Sequence, residues 1–166
     1  MISKYPLKKI VVNTGLGRMS TLSEFEKTLK PAVAADLAKI TGQKPQERPS
    51  KKAIAGFKLR QGVVIGMRTT LRHKRMMDFL SRVTNIVIPR IRDFQGIKIN
   101  NIDSDGNLSF GIKEHTVFPE IILEETKVTF GLQVTLVPQK PMSKEDAIKF
   151  YKELGVPLER EVSTAK

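Results

Sequence analysis

The lysines and arginines between Lys44 and Arg92 are the residues whose type and spacing most clearly imply chemistry. This stretch holds thirteen basic side chains and only two acidic ones, Glu47 and Asp78, so it carries +11 of the +12 formal charge of the protein. A general requirement for solubility would spread positive charge evenly, whereas a concentrated block can bind the phosphate groups of a polyanion. The sequence therefore favours a nucleic-acid partner. An anionic membrane and a merely solvated basic surface are the alternatives.

Three other patterns fall short of known chemical sites. Residues 13–17 (NTGLG) lack the Gly-Lys-Ser/Thr ending of a P-loop and the third glycine of a dinucleotide site. Residues 103–114 place oxygen-bearing side chains at calcium-loop spacing, but Leu108 occupies the position that requires glycine. Neither His73 nor His115 has a carboxylate or a second ligand at metal spacing, and no acidic pair suits acid–base catalysis. We therefore predict no enzyme, no metal site and no cofactor.

The composition is that of one globular domain spanning residues 1–166. A chain of 166 residues with 40% hydrophobic residues can bury a core of its own. The absence of cysteine excludes disulfides, thiolate zinc sites and thiol catalysis. No apolar run approaches the roughly 18 residues that cross a bilayer, and no signal-peptide pattern is present. We expect a soluble protein of a reducing compartment.

The strand predicted at residues 63–72 (VVIGMRTTLR) is the element that best positions the basic side chains. Successive side chains of a strand point to opposite faces, so its residues divide into two sets. One set can line a core: Val63, Ile65, Met67, Thr69 and Leu71. The other set is small, polar and cationic: Val64, Gly66, Arg68, Thr70 and Arg72. The second face suits contact with a phosphate backbone, although an ordinary solvated face would look the same.

Hydrophobic periodicity predicts the remaining elements. A buried strand is expected at residues 8–12, and a helix between Leu22 and Ile40 that either kinks at Pro31 or begins near Lys30 and is capped by Gly42. Residues 44–62 read as an edge strand followed by an exposed loop. The other expected elements are a helix at 76–87 stopped by Pro89, a hairpin of 99–102 with 108–112, strands at 117–123 and 132–136, and a last helix at 144–154 capped by Ser143.

This order of elements favours an α+β fold, with an antiparallel sheet, helices packed on one face, and the other face and loops open for RNA. Only Phe57 and Phe79 are aromatic within the basic block, so base stacking on several aromatic rings is not expected. No helix-turn-helix or zinc pattern indicates a DNA reader. The remaining mode of nucleic-acid binding is recognition of folded or double-helical RNA by its shape and by contacts with its backbone.

Five segments of the chain resemble, in the right order, the bacterial type of large ribosomal subunit protein five. The segments are IVVNTGLG, TGQKP, SKKAIAGFKLRQGVVIGMRTTLR, RMMDFLSRVTNIVIPRIRDFQG and GNLSFGIKEHTVFPEI. The similarity is strong over residues 8–119 and looser to residue 158. It implies a non-enzymatic structural constituent of the large subunit that binds 5S rRNA in the central protuberance. It also implies contacts with neighbouring large-subunit rRNA and proteins, with P-site tRNA, and with small-subunit protein thirteen across the inter-subunit bridge. The expected location is the ribosome, cytoplasmic or organellar.

The resemblance also assigns site residues. The 5S rRNA contacts that it implies are Asn13, Gln43, Thr70 and Arg72, with Lys51, Lys52 and Arg68 as additional phosphate contacts. The loop that it implies for tRNA contains Phe57, Lys58, Leu59, Arg60, Gln61 and Gly62, and ends at Val63. Thr70 and Arg72 also belong to the polar face derived from strand alternation alone.

Three features depart from the family pattern. His73 stands where the family normally has glycine, and residues 124–142 near the expected bridge are divergent. The family's helix before the first strand is not found here, so it is either truly absent or cut from this sequence. Without the resemblance, the basic block would also be compatible with an RNA-modifying or RNA-cleaving enzyme. An adaptor that binds membrane surfaces or acidic proteins is a further alternative, although much of the charge is predicted on a strand and a loop rather than on an amphipathic helix.

Overall fold

A single five-stranded antiparallel sheet forms the framework of the protein. The structure is a computed structural model that describes residues 5–57 and 59–159, without the side chain of Phe57. The strands are β1 (Leu7–Gly15), β2 (Gln46–Pro49), β3 (Val64–Leu71), β4 (Leu108–Ile112) and β5 (Leu132–Pro138). Their spatial order is β2-β3-β1-β5-β4, and every neighbouring pair is antiparallel. The first strand in the chain is therefore the central strand of the sheet.

Helices cover one face of this sheet. They are α1 (Lys30–Thr41), α2 (His73–Arg82), α3 (Ile88–Arg90) and α4 (Lys144–Glu153), and a wide π-type turn, Val83–Val87, joins α2 to α3. Alternate residues of β1, β3 and β5 are fully buried beneath them, among them Val12, Met67 and Val134. Leu37 of α1 and Phe79 of α2 belong to the same buried cluster. The predicted α+β class, with helices on one face of an antiparallel sheet, is confirmed.

The predicted helix boundaries hold where the sequence carries capping residues. Helix α1 begins at Lys30 with Pro31 in its first turn, and a π-type turn, Phe25–Leu29, leads directly into it. The helical stretch therefore starts at Phe25 and changes its winding just before Pro31. Gly42 ends it with a left-handed backbone, φ 66°, and donates its N–H to the carbonyl of Ala38. The Ser143 hydroxyl accepts the N–H of Asp146 at the start of α4. The helical stretch that includes Pro89 ends at the following residue, Arg90.

Two predicted strands are wrong. Residues 117–123 form no strand: single 3₁₀ turns occupy His115–Val117 and Leu123–Glu125. Between these turns Phe118 and Ile121 are buried, and their backbone N–H groups bond to carbonyls three residues earlier rather than to a neighbouring strand. The predicted first strand of the 99–102 hairpin is also a 3₁₀ turn, Ile99–Asn101, with one bridge between Ile102 and Leu108. Phe118 and Ile121 are three residues apart, and so are Ile99 and Ile102. This is the spacing of a 3₁₀ turn and not the alternation of a strand.

The predicted faces of β3 hold only from Gly66 onward. Val64 is buried although it was assigned to the polar face, and Ile65 is only half-buried although it was assigned to the core. The cause is a β-bulge: Arg48 pairs with Gly66 and Pro49 with Val64, which leaves Ile65 without an opposing residue on β2. Beyond the bulge Met67, Thr69 and Leu71 are buried as predicted.

The second predicted helix contains one misplaced residue. Ile86 was assigned to its buried face but is 43% exposed. It lies in the π-type turn Val83–Val87, where more residues per turn shift the side chains around the helix axis. In the part of the chain that the structure describes, no helix combines the length and apolar character that crossing a membrane requires.

Candidate nucleic-acid interface

The face of the sheet opposite the helices carries a row of side chains that can form hydrogen bonds. The register pairs Gln46 of β2 with Arg68 of β3, and Arg68 with Asn13 of β1. Asn13 in turn pairs with Gln133 of β5, whose other partner is Gly111 of β4. Directly paired side chains on one face of a sheet lie about 5 Å apart. Four polar side chains, Gln46, Arg68, Asn13 and Gln133, therefore form a continuous line across four strands. We call it the polar row.

A second line runs beside the polar row, displaced by two residues along the strands. It consists of Thr70, Val11, Thr135 and Ser109, which are paired in that order. The hydroxyl groups of Ser109 and Thr135 are hydrogen-bonded at 2.9 Å. On the other side of the polar row, Gly15 pairs with Gly66. With no side chain at those two positions, this end of the face is flat. The sheet thus offers a polar surface without bulky obstruction.

Five of the seven residues predicted to bind 5S rRNA are brought together here. Asn13 and Arg68 belong to the polar row, and Thr70 lies two residues from Arg68 on the same face. Arg72 follows β3 with an extended backbone, φ −140°, so the alternation continues and its exposed side chain shares the face of Thr70. Gln43 reaches the edge of this face, because its side-chain amide donates to the Thr70 carbonyl at 3.3 Å.

The other two, Lys51 and Lys52, lie off the sheet. Both are exposed in the loop that follows β2. Two backbone hydrogen bonds of Ser50 close the base of this loop. The Ser50 N–H donates to the Val63 carbonyl at 2.8 Å, and the Ser50 carbonyl accepts the Gly62 N–H at 3.0 Å. The Ser50 hydroxyl donates to the Lys52 carbonyl at 2.6 Å. The charges of the two lysines therefore flank the polar face instead of belonging to it.

The loop predicted to contact tRNA is a folded extension beyond β2 and β3. Ile54 and Leu59 exchange two backbone hydrogen bonds of 2.9 and 3.1 Å, which bring its two arms together. Arg60, Gln61 and Gly62 are exposed, whereas Leu59 is half-buried. The backbone of Phe57 ends a short 3₁₀ turn, Ala55–Phe57. Lys58 lies outside the described residues.

The arginines of the polar face are not neutralised. Among the described residues no carboxylate lies within salt-bridge distance of Arg68 or Arg72. The Nε atom of Arg68 is buried and has no hydrogen-bond partner in the described part of the protein. An arginine without a carboxylate keeps its charge available for phosphate oxygens, which its planar guanidinium can bind in a bidentate manner. The face is therefore cationic as well as polar.

His115 does not stand alone as the sequence indicated. It is fully buried, its Nε2 atom lies 3.4 Å from Oδ2 of Asp36 on α1, and its ring stacks on Phe130 with centroids 4.0 Å apart. Burial lowers the pKa of His115 below its ordinary value, and the charge of Asp36 opposes this shift. The pair joins the segment after β4 to α1 and lies on the helical side, away from the polar face.

The backbone at His73, directly after Arg72, has unusual geometry. Its backbone has φ 54°, in the left-handed region that glycine adopts most readily. Its ring makes an edge-to-face contact with Tyr5, with centroids 5.7 Å apart. Asp103 proves to be a turn residue, because its carboxylate accepts the N–H groups of Asp105 and Asn107. No group of three or more metal-ligating side chains occurs within residues 5–57 and 59–159.

An apolar and acidic ridge lies on the helical side of the molecule. It comprises residues 120–125, in which Ile122 is 52% exposed and Leu123 is 72% exposed. Glu120 forms an ion pair with Arg82 of α2, and Glu125 lies 3.7 Å from Lys39 of α1. The ridge is thus fixed to both helices. Its acidic and apolar character contrasts with the basic face on the opposite side of the sheet.

Known proteins resemble this chain over nearly its whole length. A family model described as ribosomal protein L5 matches residues 4–60, and a second one, for the C-terminus of the same ribosomal family, matches residues 64–158. Large ribosomal subunit protein uL5 of Fusobacterium nucleatum is 43% identical over 93% of this chain and 81% of its own length. The uL5 protein of Malacoplasma penetrans is 46% identical over 92% of this chain and 79% of its own length. Protein uL5c of Gracilaria tenuistipitata is 41% identical over 92% of this chain and 82% of its own length.

Proposed function

This chain belongs to the ribosomal protein L5 family, non-enzymatic structural constituents of the large ribosomal subunit, and we propose that its polar sheet face binds 5S rRNA in the central protuberance. The observation that carries the proposal is the polar row from Gln46 to Gln133, with Arg68 unpaired by any described carboxylate at its centre. The arginines supply affinity by releasing counterions from the RNA. The amides and hydroxyls fix the register of the RNA by directed hydrogen bonds.

The loop around Arg60 is proposed to contact P-site tRNA. Its support is position and charge: it projects from the edge of the sheet beyond β2 and β3, and Arg60, Gln61 and Gly62 are exposed. The hydrogen bonds between Ile54 and Leu59 join the two arms of the loop, which reduces the ordering that binding would require. Lys51 and Lys52, at the base of this loop, would add phosphate contacts between the two RNAs.

Two alanine variants separate the two RNA sites. Arg72→Ala is expected to weaken 5S rRNA binding by about 1–3 kcal/mol, because a specific guanidinium contact is lost, and to leave tRNA binding unchanged. Arg60→Ala is expected to weaken tRNA binding and to reduce the slope of its salt dependence by about 1, with 5S rRNA unaffected. Filter binding of each RNA across a salt series, with a scrambled duplex as competitor, measures both effects.

Each variant serves as the control of the other, since both remove one exposed arginine. Wild-type affinity of Arg72→Ala for 5S rRNA would refute the sheet-face site. If the scrambled duplex competes as well as 5S rRNA does, the surface is a general basic patch and the specific function fails.

The ridge of residues 120–125 is proposed as the contact with small-subunit protein thirteen in the inter-subunit bridge. It overlaps the start of the divergent stretch 124–142 and exposes two large aliphatic side chains between acidic ones. Such a surface suits a basic protein with apolar residues at its centre. Because it lies on the helical side, the bridge and the 5S rRNA could be engaged together.

Replacing both Ile122 and Leu123 by serine tests the bridge. Since burying one such side chain contributes about 1.5–3 kcal/mol, the double variant should bind purified small-subunit protein thirteen at least about tenfold more weakly in calorimetry. Leu22→Ser, which changes a similarly exposed aliphatic residue elsewhere, should bind like wild type. Equal losses of affinity in the double variant and in Leu22→Ser, or no loss in either variant, would exclude the ridge as the contact with small-subunit protein thirteen.

We also propose that residues 1–166 form one domain. The segment that matches the first family model supplies β1 and β2, and the segment that matches the second supplies β3, β4 and β5. Both segments contribute strands to one sheet, and β1 is paired on both edges with strands of the other segment.

A further inference from the structure

An apolar hollow lies where the turn after β1 meets the base of the loop of residues 50–62. It is lined by Gly17, Arg18, Thr21, Leu59 and Ile65, and has a volume of about 500 Å³. Its apolar wall is formed by the aliphatic side chains of Leu59 and Ile65. We call it the Ile65 hollow. None of the sites proposed above uses it as a pocket.

Specific backbone features build this hollow. The β-bulge leaves Ile65 unopposed on β2 and only half-buried, so its side chain forms a wall instead of filling the core. The Leu16 N–H bonds to the Ile65 carbonyl at 2.8 Å, which holds the turn after β1 against the bulge. The backbone hydrogen bonds between Ile54 and Leu59 hold Leu59 in place. The cavity is therefore part of the folded framework.

The surroundings of the hollow indicate what it binds. Its rim carries the exposed Arg18, and Arg60 is next to Leu59 in the chain. Among the described residues neither arginine has a carboxylate within salt-bridge distance. The Thr21 hydroxyl donates its hydrogen to the Arg18 carbonyl at 3.0 Å, so its oxygen remains an acceptor at the wall.

We propose that the Ile65 hollow holds one unstacked nucleobase of an RNA that lies across the basic block. The flat apolar faces of the base would pack against Leu59 and Ile65, and its edge N–H could donate to the Thr21 hydroxyl. The phosphates on either side would meet Arg18 and Arg60. Proteins grip single-stranded nucleotides with a stacking platform for the base and cations for the backbone. In the Ile65 hollow the aliphatic side chains of Leu59 and Ile65 would take the place of an aromatic platform. The inference rests on the proposed RNA-binding function and adds an unpaired base to what it recognises.

Gly17 allows the hollow to be filled without straining the backbone. A Cβ atom placed on Gly17 meets nothing within 4 Å, and its φ is not in the left-handed region. Gly17→Leu therefore adds an aliphatic side chain in the space where the base would lie. Gly56 has the same open surroundings but does not line the hollow. Gly56→Leu is thus a matched control on the same basic surface.

The test compares two fluorescent single-stranded RNA probes, a uridine hexamer and a hexamer of the same charge without bases, by anisotropy with the full chain. Wild type and Gly56→Leu should bind the uridine hexamer about tenfold more tightly than the abasic one, which is in the lower part of the range for a base stacked on an aromatic ring. Gly17→Leu should bind both probes equally. 5S rRNA binding by each protein is measured in parallel.

The outcomes separate the inference from the function beneath it. If 5S rRNA binds but wild type does not discriminate between the hexamers, or binds neither, the hollow takes no base while the proposed function stands. If Gly17→Leu still discriminates, the base lies elsewhere and the inference is wrong. If wild type does not bind 5S rRNA, the proposed function fails, whatever the hexamers do.

Discussion

Replacing Tyr151 by alanine is expected to lower the free energy of unfolding by about 3–5 kcal/mol, the usual cost of deleting a large buried aromatic side chain. Tyr151 lies on α4 and is fully buried. Its hydroxyl lies 2.8 Å from the Gly106 carbonyl and 3.2 Å from the Leu136 carbonyl, to which it can donate. The side chain thereby joins the last helix to β5 and to the turn before β4. Urea denaturation followed by circular dichroism measures the loss.

Tyr151→Phe is the matched control for this prediction. It keeps the ring and removes only the hydroxyl, so it should cost about 1–2 kcal/mol for one lost hydrogen bond to a buried carbonyl. Cavity formation would then account for the larger part of the alanine effect. A loss below about 1 kcal/mol in Tyr151→Ala would mean that α4 does not pack on the sheet as described.

Reversing the charge of Arg68 is the substitution expected to damage RNA binding most. Arg68→Glu removes the cation at the centre of the polar row and places a carboxylate between Gln46 and Asn13. A like charge facing phosphate costs several kcal/mol, so the dissociation constant for 5S rRNA should rise at least about 100-fold in low salt. High salt should reduce the difference between variant and wild type, because ions screen the repulsion.

Lys149→Glu provides the same change of net charge at a different place. Lys149 is exposed on α4, on the helical side of the sheet. If position matters and not total charge, this variant should bind 5S rRNA within about twofold of wild type. Equal damage by the two substitutions would show that only net charge controls binding. Melting curves of both variants exclude unfolding as the cause.

Much of the fold could be predicted because its signals are local. Gly42 and Ser143 mark helix ends by their own backbone and side-chain chemistry, and both predictions are confirmed. The alternation that places Met67 in the core is equally local. The errors arise where periodicity has two explanations. Phe118 and Ile121 are buried three residues apart, which is the spacing of turns. The bulge at Ile65 depends on the pairing of β3 with β2, and the local sequence of β3 does not contain that information.

The candidate interface could be predicted only in part, for a related reason. Strand alternation alone placed Arg68, Thr70 and Arg72 on one face. Their neighbours Gln46 and Gln133 were missed, because only the register between strands shows that they continue the line. An alternating pattern at β5, with buried residues on either side of Gln133, was the available signal. The contact of His115 with Asp36 could not be foreseen, since the two residues lie far apart in the chain.

The central place of β1 also governs how the protein forms during its own synthesis. β1 is made first, β3 begins at Val64, and β5 begins only at Leu132. A nascent chain can therefore join β2, β3 and β1 early, while the other edge of β1 stays unpaired until most of the polypeptide has been made. An unpaired strand edge invites association with other chains. Gln133 is also the last member of the polar row to arrive. Under the proposed function an unfinished chain would lack part of the RNA-binding surface, and chain completion would be a condition for full recognition.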